Sequence, residues 1–464
     1  MSLRAFLPIL GLILSAAAAA AQDAPPARPR YLPDPADEDW SFLKTAPKTD
    51  LWDPVKYIPL GREDWFMTLS GEIRYRPEGF RVRATDARPA TIDTYFLQRY
   101  LFGANVQLGQ RARVFGELQS GVINGRLGSP RPTDSNTLDI HQAFFEWRHP
   151  VRKSDRLSVK VGRQELAIGS TRLISASPGL NVKRSFDAAG LVYRAPAWTA
   201  VGAFGALVPI VRGTFNDWPG GGQLFWGVAA GRRSPWLRRG EVGAYYLGID
   251  REGSQYVQGV GPEVRHTVGI KWSGARSRVD LNYDGILQWG TFADAPIRGW
   301  GFATETGYRV AASGWRPRLS LRADFASGDR DPQDPRLESF NPLFPGNSYS
   351  GAVGLFGPTN LTDLNPSLVM APHPDLTVGF EAPSYWRTST GDGLYATDLR
   401  LLIGPTVGTG KYVGTNPSIF AVWQVTRHCQ LQGAITRFIA GHFLEETFVS
   451  EGFGFYSVSA VYRF

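Results

Sequence analysis

The last ten residues, Phe455-Tyr456-Ser457-Val458-Ser459-Ala460-Val461-Tyr462-Arg463-Phe464, decide the fold class. Tyr456, Val458, Ala460, Tyr462 and Phe464 fall on one face, and Phe455, Ser457, Ser459, Val461 and Arg463 on the other. Alternation with period two is the mark of a strand with two unlike faces. A strand that closes on an aromatic is how membrane-spanning β-barrels finish, although a soluble domain ending in an edge strand reads the same way. The rest of the chain separates the two.

The same alternation recurs upstream. Met67, Leu69, Gly71, Ile73 and Tyr75 oppose Thr68, Ser70, Glu72, Arg74 and Arg76; Leu319, Leu321, Ala323 and Phe325 oppose Ser320, Arg322 and Asp324. Tyr100, Phe102, Ala104 and Val106, and later Leu281, Tyr283, Leu287 and Trp289, repeat it. Periodicity alone does not say which face meets water, but turn lengths do. Short connections fall near 109–111, 195–197, 273–276, 313–315 and 426–428, and long ones at 77–93, 121–137, 169–185, 208–222, 251–262 and 327–359. Alternating short and long turns predict an all-β, antiparallel up-and-down barrel of about eighteen strands, with short turns facing the periplasm and long loops facing outward. Trp147, Trp198, Trp226, Trp272, Trp289, Trp300, Trp386 and Trp423 lie near strand ends, where an interfacial girdle needs them.

Composition agrees. A soluble chain of 464 residues would divide into two or three domains, but here Gly numbers 52, aromatics reach 12% and charged residues only 20%. At the start, Arg4, the apolar run 6–14 and the alanines at 16–21 predict a signal peptide over 1–21; the run is too short for a retained membrane helix. No Cys follows it, so no lipoprotein anchor is expected. Residues 22–65 are Pro-rich, with Asp37, Glu38 and Asp39 beside Trp40, Phe42, Trp52 and Trp65, and are expected to pack on the periplasmic rim or in the lumen. The barrel proper is placed at 66–464.

Motifs for chemistry are sparse. Neither G-x-S-x-G nor G-x-G-x-x-G occurs, and Gly408-Thr409-Gly410-Lys411 lacks the spacing of a phosphate loop. His141 with Asp139, and His442 with Glu445, read as ordinary loop residues rather than parts of a triad. The six histidines show no ligand spacing, and Cys429 lacks both a disulfide partner and further metal ligands. Asp329, Asp331 and Asp334 form the one weak Ca²⁺ candidate, better read as turn-forming acids because the twelve-residue calcium pattern is absent. No enzyme, cofactor or metal is therefore expected. The net charge of +8 suits nucleic acid, an acidic surface or an anionic solute, and the secreted context removes the first.

Arg74, Arg76, Arg99, Arg113, Lys160, Arg278, Arg309 and Arg322 fall on the inward phase, opposite Glu72, Glu117, Glu146, Asp280, Glu305, Asp324 and Glu381. Such a set either braces the wall as arginine–carboxylate ladders or draws an anionic polymer or solute into a narrow lumen.

Several runs resemble a known family. Glu38-Asp39-Trp40-Ser41-Phe42-Leu43, Asp53-Pro54-Val55-Lys56-Tyr57-Ile58-Pro59-Leu60 and Leu69-Ser70-Gly71-Glu72-Ile73-Arg74 resemble the start of the alginate export family of outer-membrane porins. Gly162-Arg163-Gln164-Glu165-Leu166, Asn181-Val182-Lys183-Arg184-Ser185-Phe186-Asp187, Asn341-Pro342-Leu343-Phe344-Pro345 and Tyr385-Trp386-Arg387 extend the resemblance over roughly residues 38 to 464. It implies a monomeric outer-membrane barrel with an arginine-rich constriction that exports the polyuronate alginate, gated by loops. By analogy Arg163, Arg184 and Arg387, with Glu165 and Asp187, become candidates for the pore or its mouth. The expected partners are an anionic polysaccharide or a small anionic solute, outer-membrane lipid, and the barrel assembly machinery, for which Phe464 would be the recognition element. An uptake porin for small anions shares every feature; an outer-membrane enzyme and a secreted carbohydrate-binding β-domain are the readings from other classes.

Overall fold

A computed structural model describes residues 28, 30–82, 91–152, 154–220, 222–346, 353–447 and 452–464. The expected signal peptide lies outside the described residues, as do residues 22–27 and parts of the loops at 77–93 and 327–359. The chain forms a closed antiparallel barrel of 18 strands. The first half comprises β1 (Trp65–Val82), β2 (Thr91–Leu108), β3 (Ala112–Asn124), β4 (Asn136–Pro150), β5 (Arg156–Gln164), β6 (Phe186–Arg194), β7 (Trp198–Leu207), β8 (Gln223–Arg233) and β9 (Arg238–Tyr256). There follow β10 (Gly259–Arg276), β11 (Val279–Phe292), β12 (Ala295–Arg309), β13 (Arg318–Ala326) and β14 (Leu361–His373). β15 has two pieces, Leu376–Glu381 and Ser384–Arg387; β16 is Tyr412–Thr415 and Ser418–Gln424; β17 is Cys429–Arg437 and Ile439–Ala440; β18 is Phe453–Arg463. Pro383 and Pro417 stand in two of the breaks, where the missing N–H interrupts the ladder.

Each strand pairs with the next, and β18 returns to β1 with Glu72 opposite Arg463 and Phe80 opposite Phe455. Beyond the last ladder pair, the Phe464 N–H donates to the Gly71 carbonyl at 3.0 Å and the Phe464 carbonyl accepts from the Gly71 N–H at 2.9 Å. Closure leaves no open edge, which is what a sheet in hydrocarbon requires. Gly71 is required by close approach: a Cβ there would lie 2.3 Å from the Phe464 ring.

The two faces are inverted relative to a water-soluble domain. Ile73, Phe102, Val114, Phe145, Leu191, Ile270, Leu287 (60% exposed), Leu321 (50%) and Ile419 form an outer apolar belt. Out of phase with them, Arg74, Arg99, Arg113, Glu117, Asp284, Ser457 and Ser459 are buried on the inside. Trp147, Trp198, Trp272, Trp289, Trp300 and Trp423 are exposed on the outer face.

Two expected turns are corrected. Residues 251–262 are not a long loop: β9 runs to Tyr256 and β10 begins at Gly259, because Tyr256 is buried against Phe292, Ile297, Leu337 and Tyr395 above the barrel wall. Residues 273–276 continue β10, and the turn falls at Ser277 and Arg278, with Ser277 at φ 54°.

Candidate functional site

Three segments that belong to no wall strand fold into the lumen. The first, residues 28–64, enters from the short-turn end. Ala36 packs against Phe115 and Phe144, and its carbonyl accepts from Arg113, which also donates to Glu146 at 2.5 Å. Asp34 accepts from Gln142 on β4 at 3.0 Å. Tyr31, Trp40, Leu43, Tyr57 and Phe66 form an apolar cluster beside them. The buried Lys56 ammonium lies 3.4 Å from Glu38 and about equally close to the Trp40 and Tyr31 rings, at 5.0 and 5.1 Å. Arg28 grips Asp53 with two bonds of 2.6 and 2.7 Å. Burial pushes the Asp53 carboxyl up, but the Arg28 guanidinium and the N–H groups of Asp50 and Thr49 outweigh it and hold it below the usual carboxylate range.

The second segment, residues 165–185, enters from the long-loop end. Its apolar side chains Ile168, Leu173, Ile174 and Val182 are buried, which a solvated loop would not allow. Its turn at 178–181 is held by the wall. Arg74 donates to the carbonyls of Gly179 (3.2 Å) and Leu180 (2.8 Å) and to Asn181 Oδ1 (3.0 Å). Arg99 reaches Pro178 O (2.9 Å) and Leu180 O (2.7 Å), and Arg76 reaches Gly179 O (2.7 Å). Asn181 donates back to the carbonyls of Gln98, Val122 and Asp134 at 3.0, 3.2 and 2.8 Å. The two segments meet in the lumen, where Lys183 Nζ donates to Pro33 O at 3.1 Å and contacts Glu165.

The third segment, residues 327–346, zips onto the second through a parallel bridge between Ile174 and Phe344. Asn341 is buried and donates to Glu263 and Tyr256, while Arg265 donates to Glu263, Gln288 and the Ser339 carbonyl.

The arginines singled out in the sequence divide by partner. Arg76 pairs with Glu78 (2.9 Å), Arg99 with Glu72 (2.5 Å), Arg113 with Glu146 and Arg322 with Asp363 (2.7 Å). Arg163 pairs with Asp187 at 2.9 Å; both share the phase of the exposed Val159, Val161 and Leu191, and Arg163 also donates to the carbonyl of Asp217 in the loop before β8. Arg74, Arg184 and Arg387 make no ion pair among the described residues. Arg387, 1% exposed, gathers the carbonyls of Thr390, Asp392, Gly408 and Gly410 over the Phe443 ring. Arg184 binds the carbonyls of Ser175 and Pro345 at 3.1 and 3.2 Å. Arg251 on β9, which the sequence reading passed over, binds Leu343 O at 2.5 Å and also lacks an ion pair among the described residues. Burial and the like charge of Arg251 push the Arg184 guanidinium down to about 10, still protonated at neutral pH. A carbonyl satisfies the donor without cancelling the charge. Such an arginine keeps more of its charge than one paired with a carboxylate.

Asp329, Asp331 and Asp334 do not converge. Each carboxylate accepts the backbone N–H two residues on, from Asp331 (3.1 Å), Gln333 (3.0 Å) and Arg336 (2.7 Å) respectively, as turn-forming acids do.

A closed barrel with an apolar belt, a polar interior and infolded loops defines an outer-membrane channel of the porin type. The sequence model of the alginate export family matches residues 66–452. The chain belongs to that family and resides in the bacterial outer membrane. No curated protein sequence matches it. Among solved structures, the BenF-like porin from Pseudomonas fluorescens Pf-5 superposes with a TM-score of 0.59 at 10% identity, covering 86% of this chain and 98% of the porin. Pseudomonas aeruginosa OccK2 (OpdF), solved in complex with glucuronate, gives 0.56 at 11% identity, covering 86% and 97%. P. aeruginosa OpdK with vanillate gives 0.54 at 11%, covering 85% and 98%. At these identities the likeness is one of fold.

Proposed function

We propose that this channel conducts uronate-class anions by passive diffusion, as a conduit for an anionic polysaccharide such as alginate. The observation that carries the reading is the set Arg74, Arg184, Arg251 and Arg387, whose guanidinium groups donate to backbone carbonyls and make no ion pair among the described residues. In a narrow lumen with low-dielectric walls such charge raises the local concentration of anions. The family membership supports the polymeric cargo.

A second reading, uptake of small anionic solutes, is favoured by the two segments that meet inside the barrel and by the solved neighbour that carries glucuronate. A polymer requires both segments to yield, whereas a single sugar acid requires only local movement. Reversal potentials across planar bilayers test the shared claim, and block of the current by glucuronate versus longer uronate oligomers separates the two cargoes. Anion preference is expected; cation preference in the native channel would refute both readings.

A further inference from the structure

On the lumen side, Glu117 of β3, His141 of β4 and Glu165 at the base of the infolded loop bring one ligand atom each to within 4.8 Å of one another. His141 Nε2 lies 2.9 Å from Glu165 Oε1 and 3.8 Å from Glu117 Oε1. These values straddle the ligand–ligand edge of about 3.3 Å set by a tetrahedral ion with bonds near 2.0–2.1 Å.

Glu117 is 2% exposed, and neither carboxylate oxygen meets a donor in hydrogen-bonding geometry, although Gln142 stands alongside. A buried carboxylate without donors is costly unless a cation compensates it. The available cation is Lys183, whose ammonium is engaged by Glu165 and by the Pro33 carbonyl. Asp34 lies close enough to add its charge: burial and the neighbouring Glu165 both push its carboxyl up. Lys160 compensates Asp34 from the wall, so Glu117 and Glu165 are left with the one ammonium of Lys183.

We propose that Glu117, His141 and Glu165 form a site for a divalent d-block cation of the zinc class, placed where wall, infolded loop and N-terminal segment meet. The imidazole nitrogen and the small number of oxygens favour such an ion over Ca²⁺, which takes six to eight oxygen ligands. The bound ion would tie the base of the loop to β3 and β4. Lys183 competes for Glu165, so metal entry moves its ammonium toward Pro33 and Asp34. The proposal does not depend on which anion the channel carries.

The test uses the full chain, folded in detergent, stripped with chelator and titrated with Co²⁺ and then Zn²⁺. His442 beside Glu446 and His373 beside Asp375 are exposed and could hold metal on their own, so both histidines are replaced by alanine in every sample. One equivalent of Co²⁺ with a visible d–d band, displaced by Zn²⁺, is expected. Glu117→Gln and His141→Gln should each weaken binding at least about tenfold, and Lys183→Met should tighten it by about tenfold. Retained heat-modifiable migration shows that a variant is folded; should the glutamine variants misfold, the parent titration and Lys183→Met still decide. No stoichiometric band, binding unchanged by Glu117→Gln, or weaker binding in Lys183→Met would each overturn the proposal, the last by showing that the ammonium itself completes the cluster.

Discussion

Replacing Asn181 by alanine tests whether the infolded loop is what narrows the lumen. The side chain donates to three wall carbonyls on β2, β3 and the turn before β4, and accepts from Arg74. Its amide carries only two protons, so the three donor contacts count as about two neutral bonds, each contributing about 1 kcal/mol net, and the bond from the guanidinium adds about 1.5 kcal/mol. The variant should lose about 3.5 kcal/mol of loop docking, roughly 400-fold in the ratio of docked to released loop. No charge changes, so anion preference should persist while conductance or open time rises in single-channel recordings. The barrel should remain folded, because the strand ladder of the wall is untouched. Conductance and closed times equal to those of the parent would refute the reasoning: the loop would then not limit the pore.

Arg184→Gln with Arg251→Gln should lower anion selectivity measured by reversal potential, while the charge-neutral pair Arg322→Gln with Asp363→Asn should leave it nearly unchanged; equal effects would show that carbonyl-held and carboxylate-paired arginines do not differ. The difference should fade at 1 M salt, where the Debye length is about 3 Å. Removal of Phe464 should lower outer-membrane levels by exposing Gly71 and the Trp52 ring that stacks on it at 3.9 Å; unchanged levels would count against this. The Asp53 carboxyl, held below its ordinary value of 3.8, contributes stability that is present above that value and is lost as pH falls through the lower folded one. Limited proteolysis within residues 28–64 should therefore accelerate below about pH 4, and no acceleration at lower pH would refute it.

The wall was legible because lipid and lumen impose opposite chemistries on successive residues, so the phase of Ile73 and Arg74 could be read directly. Where strands rise above that constraint, as at Arg251 to Tyr256, other loops bury the residues and the period no longer reports on facing. The inward phase identified Arg74, Arg99, Arg113 and Arg322, yet alternation carries nothing about partners, and partner identity is what divides neutralised from retained charge. Motif analogy does not specify a face, and the phase of Arg163 and Asp187 with the exposed Val161 and Leu191 comes only from the strand pairing. The buried Ile168, Leu173, Ile174 and Val182 were the overlooked signal of an infolded loop. His141 read as an ordinary loop residue because Glu117 and Glu165 approach it from separate elements, a convergence that spacing along the chain does not encode.

Two of the infolded pieces arrive from opposite ends of the barrel and touch in the lumen through Lys183 and Pro33. Each has its own moorings: Arg74, Arg99 and Asn181 hold the loop, while Arg113 and Gln142 hold the N-terminal segment. Withdrawal of one therefore leaves the other in place, like two bolts thrown from the two sides of one door. Clearing the lumen of both requires a release at each end of the barrel, and a disturbance confined to one end frees only its own piece.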